Sequence, residues 1–397
     1  MRLINKLQNM LEGLRSKDMY LDNAATTQIK KSVIDSINQA LPYYGNPSSL
    51  YAIGQDSKSI IQETKKSIGN LINCKADEVV FTSSGSEADN MAIKGFYFAH
   101  MSDCTIITSA IEHKAILNSC AFLERLGANI VFVGVDNVGK IDLQQLEEAC
   151  KNSSGDLLVS IQYANNEIGV IQDIKTIAQI VHKYNGVFHT DAVQAFPEMK
   201  IDVKSLGIDM MSVSGHKFGV PKGIGFLYKR EGVEVEPLIH GGQQENGLRA
   251  GTENVPYIAG LGKAISTLPS QTSLAELTDK KNYFVNLLSQ IPACMVNGSM
   301  QDRLANNINV SFKDVEGESL LLLLDMNDIC VSSGSACNSG SIEPSYVLKA
   351  INVPDDYING TIRLTINNDI TYKDIQHCAD VIKDSVQRLR HLAKEGD

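Results

Sequence analysis

The sequence predicts an α/β fold: a large domain built on a mostly parallel seven-stranded sheet covered by helices, then a smaller α+β domain. Three observations predict it. From about residue 56 to 230, apolar runs alternate with amphipathic segments, a βαβα rhythm typical of parallel sheets. After residue 260 that rhythm gives way to a mixed pattern. The chain, at 397 residues, is long enough to bury a large core and to divide in two.

The elements follow in order. Seven runs read as strands: EVVFTS, CTIITSA, NIVFVGV, LLVSIQYA, GVFHTDAV, DMMSVSG and GIGFLYK. Helical patterns lie between most of them, at Ser86 to His100, His113 to Leu126, Asp142 to Lys151 and Ile174 to Tyr184. The last two strands are joined too tightly for a helical crossover, so one edge of the sheet is expected to be antiparallel. A long helical stretch from about Tyr257 to Ile291 leads to INVSF, SLLLLLD, a Gly/Ser-rich loop, TIRLTI and a final helix from about Lys373. The expected division is 1–33 as an N-terminal extension and a segment joining the small domain, 34–262 as the large domain, and 263–397 as the small domain. No internal repeat or low-complexity segment interrupts it.

Composition excludes several classes. With 43% hydrophobic and 21% charged residues the chain reads as globular, and a net charge of −10 argues against direct nucleic-acid binding. No apolar run approaches the length of a membrane span, so no membrane is expected. The stretch RLINKLQNMLEGLRSK lacks the apolar core and cleavage site of a signal peptide, which points to the cytoplasm and to reduced thiols. Leu3, Leu7, Met10 and Leu14, with Ile4 and Leu11, form an apolar stripe. Packing on the small domain is the favoured reading, and a partner-docking or membrane-surface helix the alternative.

None of the eight cysteines forms a C-x-x-C pair, and the histidines show no ligand spacing, so no metal is expected. Most cysteines sit in apolar or helical contexts and read as small buried hydrophobes. Cys337 differs. Its surroundings, VSSGSACNSG, are turn-forming and offer nothing to bury it.

Three stretches carry chemistry. In SVSGHKFGVPKGIG, Lys217 lies just past a strand, at the carboxyl edge where open α/β sheets place ligands. Most lysines are solvated surface groups, but a partly desolvated lysine there can lose its proton and form a Schiff base with an aldehyde cofactor. GVFHTDAVQ ends in Asp191 at the same edge. A carboxylate beside a pyridine nitrogen makes the ring an electron sink, although Asp191 alone would equally suit a sugar or a metal. In FTSSGSEADN a Ser/Gly turn opens a helix, an anion site suited to phosphate. Ser84 or Ser86 as helix cap, with Glu87 in the first turn, is a compatible second reading.

These blocks, with MYLDNAATT, GNPSS, NNEIG, SGHK, GVPKGIG, RAGTEN, SSGSAC followed by EPSYVL, and TIRLTI, give the chain a plain resemblance. It resembles pyridoxal-phosphate-dependent cysteine desulfurases of the NifS/IscS type, class V aminotransferases of PLP fold type I. The resemblance implies conversion of L-cysteine to L-alanine in a homodimer. Lys217 would bind the cofactor and shuttle the α-proton, Asp191 would pair with the ring nitrogen, and His113 would stack on the ring as an acid–base group. Asn166 and Gln194 would hydrogen-bond near the ring hydroxyl. Gly85, Ser86, Ser214 and His216 would hold the phosphate, with Thr252 reaching across the subunit interface. Arg363 would grip the substrate carboxylate, and Asn23, Ala24 and Asn166 would lie close to the substrate.

Cys337 would take the substrate sulfur as a persulfide and hand it to an acceptor protein, an iron–sulfur scaffold or a thiolation protein. A loop from about Val331 to Pro344 matches the long-loop branch, in which the cysteine travels. The rival enzymes are a selenocysteine lyase or a cysteine sulfinate desulfinase, neither of which needs Cys337 as much. A cysteine hydrolase or acyltransferase would leave Lys217 and Asp191 unexplained, and a non-catalytic scaffold would release no alanine. The chain departs from the family pattern at Gln28, Tyr51, the Ser84–Gly85–Ser86 turn and Thr365. Of these, only Tyr51 is expected to alter packing near the pocket mouth.

Overall fold

The computed structural model describes residues 19–101, 103–333 and 344–395. The expectations for Cys337 and for the N-terminal stripe fall outside these residues. The strands among the described residues are β1 (Met19–Tyr20), β2 (Val79–Thr82), β3 (Cys104–Ser109), β4 (Asn129–Val133), β5 (Asp156–Ser160), β6 (Val187–Asp191), β7 (Met210–Ser214), β8 (Gly225–Lys229), β9 (Cys294–Val296), β10 (Asn307–Phe312), β11 (Ile329–Cys330) and β12 (Thr361–Thr365). Seven of them form the large sheet in the order β2-β8-β7-β6-β5-β3-β4. The β4-β3, β3-β5, β5-β6 and β6-β7 pairs are parallel. β8 is antiparallel to both β7 and β2. The antiparallel strand thus sits one place in from the edge, because the short β7–β8 link turns the chain straight back and β2 then covers the outer side.

The central strands are buried on both faces. Ile106 of β3 packs into a core with Met91, Phe96, Ile116 and Leu123. Ile107, one residue on and pointing the other way, joins Ile174, Ile177 and Val181. This two-sided cover is why the strand reads as a near-continuous apolar run. Each such fully buried side chain contributes about 1.5–3 kcal/mol relative to exposure.

The helices fall close to their expected positions, at Gly85–His100, Lys114–Glu124, Leu143–Lys151 and Ile174–Lys183. One expectation fails. The stretch from Tyr257 to Ile291 holds two helices, Val255–Ile265 and Gln271–Ser289, rather than one. Pro269 has no N–H to continue a helix, and the Ser270 hydroxyl accepts from Ser273 N to start a new one.

A second sheet runs β12-β10-β9 and is antiparallel. Its core includes Phe284, Ile308, Phe312, Ile362 and Ile382, and also Leu21 from the start of the described chain. β1 pairs in parallel with β11, and Asp22 bridges to Thr365. The segment that leaves β1 therefore lies across β12 before reaching the large sheet. Among the described residues, no helix is long and apolar enough to cross a membrane.

Candidate active site

A cavity of about 320 Å³ opens where the carboxyl ends of β6 and β7 meet the Ser84–Ser86 turn and the segment after β1. Strand direction places it there, because β3, β5, β6 and β7 all run toward this edge and their following turns converge on it. Lys217, Asp191, His113, Asn166, Gln194, Gly85, Ser86, Ser214, His216, Ala24 and Arg363 all line it. Asn23 is buried just outside, its Nδ2 donating to Thr365 O at 2.6 Å. Thr252 is exposed and does not line the cavity of the single chain. Tyr51 is also outside the lining, exposed at the start of the helix Ala52–Ile72.

Lys217 ends a short turn that follows β7. Its Nζ donates to the carbonyl oxygens of Ala24 at 2.5 Å and Ala25 at 2.9 Å. Gln194 Nε2 donates to the same Ala24 carbonyl at 3.0 Å. Asp191 closes β6, and its Oδ1 accepts from Val193 N at 2.9 Å. Burial raises its pKa, while His113 and Lys217 nearby pull it back down. The positive charge of Lys217 favours the charged form that a ring nitrogen would need.

The turn before the helix Gly85–His100 is capped by Ser84, whose hydroxyl accepts from Glu87 N at 3.1 Å. Gly85 is a steric necessity: a Cβ there would lie 2.7 Å from Val193 Cγ2 and 3.2 Å from Ser214 Cβ. The close approach packs the turn into a cradle that Ser86, Ser214 and His216 also line, at a helix N-terminus of the kind that suits a phosphate. Burial first, then Lys217 and Lys222, lower His216 to about 4, so its ring is neutral at pH 7.

His113 caps the helix Lys114–Glu124, its Nδ1 accepting from Ala115 N at 3.1 Å. The cap and the site role coexist, because capping fixes the ring and leaves Nε2 as the second nitrogen. Burial lowers its pKa, Asp191 opposes that, and Lys217 adds to it. Beneath it, Glu112 accepts from Ser109 Oγ at 2.6 Å and from Gln162 N at 2.9 Å, and burial raises it to about 8.

Arg363 reaches the cavity from β12. Its Nη2 pairs with Asp22 Oδ1 at 2.6 Å and its Nη1 donates to Asn166 O at 3.0 Å, while its buried Nε has no partner among the described residues. Two neighbouring contacts frame the segment that carries Cys337. Ser332 exchanges backbone hydrogen bonds with Arg363, and Ser345 Oγ donates to Glu167 Oε2 at 2.5 Å. Burial raises Glu167 to about 7 despite that bond and the nearby Arg363 and Lys114.

Of the eight cysteines, seven are described, and these are buried or half-buried, with no disulfide among the described residues. Burial pushes Cys120 and Cys378 up to about 12, which leaves them protonated and inert as nucleophiles.

Sequence reasoning missed Asp22 and Asp89. Asp22 carries no local signal, since its partner Arg363 is 341 residues away. Asp89 did carry one: it lies on the same helical face as Ala92, Ile93 and Phe96, all buried, so it is a lone acid in an apolar stripe.

The sequence profile of the aminotransferase class-V family matches residues 19–378. The chain belongs to the class-V aminotransferase family. Within the family, it is 46% identical over 385 residues to the cysteine desulfurase IscS of Methanosarcina thermophila, covering 95% of this chain and 94% of that one. It is 44% identical over 382 residues to the cysteine desulfurase IscS of Dictyoglomus turgidum, covering 95% and 96%. Among solved structures, a NifS-like protein superposes with a TM-score of 0.86 at 31% identity, covering 93% of this chain and 99% of that one. SspA in complex with cysteine superposes at 0.79 with 35% identity, covering 88% and 99%.

Proposed function

We propose that this protein is a pyridoxal-phosphate-dependent cysteine desulfurase that converts L-cysteine to L-alanine and passes the sulfur on as a persulfide of Cys337. One observation carries the reading. Lys217, Asp191 and the Ser84–Ser86 turn converge on one cavity, in a chain whose relatives are cysteine desulfurases.

The residues present fit the cofactor. Gly85 leaves a cradle that a Cβ would fill, and the buried Asp89 Oδ1 has no hydrogen-bond partner among the described residues. When bound, pyridoxal phosphate supplies an electron sink for the substrate Cα. Lys217 would hold it through Nζ, leaving the Ala24 and Ala25 carbonyls, and would then move a proton at Cα. Asp191 would hold the ring nitrogen, and Asn166 and Gln194 the ring hydroxyl. Gly85, Ser86, Ser214 and His216 would bind the phosphate, with Thr252 contributed from the second subunit of a homodimer.

Arg363 would bind the substrate carboxylate with its guanidinium fork, close to Asn23, Ala24 and Asn166. His113, neutral at pH 7, accepts a proton from an incoming thiol. The Cys337 thiolate then attacks the substrate sulfur: an S–S bond forms, the Cβ–S bond breaks, and its electron pair stays on carbon to be protonated on the way to alanine. A cytoplasmic acceptor protein, an iron–sulfur scaffold or a thiolation protein, takes the outer sulfur.

The test is alanine formed from L-cysteine by wild type and Cys337→Ala, with and without a thiol reductant. The expected result is reductant-dependent alanine from wild type and little from the variant. Alanine from both would remove Cys337 from the mechanism. Alanine from selenocysteine or cysteine sulfinate alone would shift the assignment to a related lyase.

A further inference from the structure

Beside Asp191, in the lining of the same cavity, lies a second carboxylate that the proposed reaction does not use. Asp89 stands one helical turn after Gly85 and is 1% exposed. One ligand atom each of Asp89, His113 and Asp191 lie within 4.8 Å of one another. Asp89 Oδ1 has no hydrogen-bond partner among the described residues. Its nearest buried base is His189, whose Nε2 is 3.9 Å away, but that ring is otherwise engaged. His189 Nδ1 faces Ser160 Oγ at 2.8 Å and its Nε2 faces Ser212 Oγ at 3.0 Å.

We propose that Asp89 is a positioning residue that acts through Asp191, the two buried carboxyl groups sharing one proton so that a single negative charge faces the ring nitrogen. The inference rests on the cofactor assignment above. Two adjacent carboxylates removed from water do not both ionise. The groups around them decide which one keeps the proton. Asp191 faces Lys217 from the turn after β7, whose charge favours its anion, and His113 from the turn after β3, whose burial-lowered ring adds no charge at pH 7. Asp89 has the Ser212 hydroxyl from β7, set against the negative charges of Asp191 and Glu112. His189, fully buried and lowered to about 3, brings no positive charge. Burial first, then Asp191, raises Asp89 far above the carboxylate range. Asp89 thus keeps the proton and Asp191 the charge. A protonated Asp89 is also a donor that steadies the Asp191 anion.

The experiment uses the full-length protein in three forms: wild type, Asp89→Asn and Asp89→Ala. The first readout needs no cofactor. Infrared difference spectra between wild type and Asp89→Asn at pH 7 should show the carbonyl stretch of one protonated carboxylic acid, lost in the variant. Its absence overturns the shared proton. The second readout is the pH titration of the visible band of added pyridoxal phosphate. Asn imitates the neutral acid, so its midpoint should match wild type. Ala leaves Asp191 without its donor, so its midpoint should rise by on the order of one pH unit, a tenfold change. A downward shift in Asp89→Asn would mean that Asp89 is charged, and an unchanged Asp89→Ala would mean that it does not act through Asp191. Either overturns the inference. A wild type that takes up no cofactor overturns the functional reading and the ring role together. The infrared band tells that failure from one of the proton sharing alone.

Discussion

Gly85→Ala tests the cradle most directly. The added Cβ would stand 2.7 Å from Val193 Cγ2, about 1 Å inside an ordinary carbon–carbon contact. It would also press on Ser214 Cβ at 3.2 Å. Val193 has little room to yield, because its N–H is bonded to Asp191 Oδ1 at 2.9 Å. Pushing it aside therefore disturbs the carboxylate proposed to hold the ring nitrogen. Overpacking of this kind costs about 1–3 kcal/mol. The empty protein relieves part of the strain by shifting the turn outward, and seating the cofactor reverses that relief. The dissociation constant for pyridoxal phosphate should then rise by roughly 5- to 150-fold, since each 1.4 kcal/mol is tenfold. The assay is cofactor titration by absorbance, with thermal melting of the cofactor-free protein beside it. Val193→Ala in the Gly85→Ala background removes the clashing methyl groups and should recover most of the loss. An unchanged dissociation constant together with an unchanged melting temperature would refute the reasoning.

Two further outcomes are expected. Arg363→Lys keeps the charge but loses the fork that binds a carboxylate in two places, so KM for L-cysteine should rise by about tenfold or more; steady-state alanine kinetics check it, and an unchanged KM would place the substrate carboxylate elsewhere. The buried Asp209 accepts from His182 Nε2 at 2.8 Å, Phe188 N at 2.8 Å and Arg230 Nε at 2.6 Å. The Asp209 bond raises His182 above its ordinary value. The stability it adds is therefore full below the unfolded histidine pKa of about 6.5 and fades as pH rises through the folded value. Urea unfolding of wild type and His182→Gln should differ more near pH 5.5 than near pH 8.5, and equal differences would show that the pair carries no charge.

The large sheet was legible because its signals are local. Each strand from EVVFTS to GIGFLYK is a short apolar run bounded by turn residues, and each crossover helix has its own periodicity. The exact place of β8 was not legible, since the tight β7–β8 link tells that the chain reverses but not which strand closes the far side. The break at Pro269 was visible in the sequence, yet the apolar pattern continued on both sides and masked it. In the site, Lys217, Asp191 and Gly85 stand at strand ends, where sequence points to them. Asp22 and Asp89 act through partners brought close only by the fold, and for Asp22 no neighbouring residue hints at the pairing.

The contacts at Ser332 and Ser345 have a consequence for redesign. Ser332 is tied to the strand that delivers Arg363, and Ser345 to the carboxylate of Glu167, next door to Asn166. The stretch between them is thus moored at both ends to the walls of the cavity. A transplanted stretch of different length or composition would keep its address, because the moorings belong to the scaffold. Because Cys337 lies in that stretch, a swap that keeps the cysteine in place tests whether the stretch selects the proposed sulfur acceptor while Arg363 and Glu167 stay as they are.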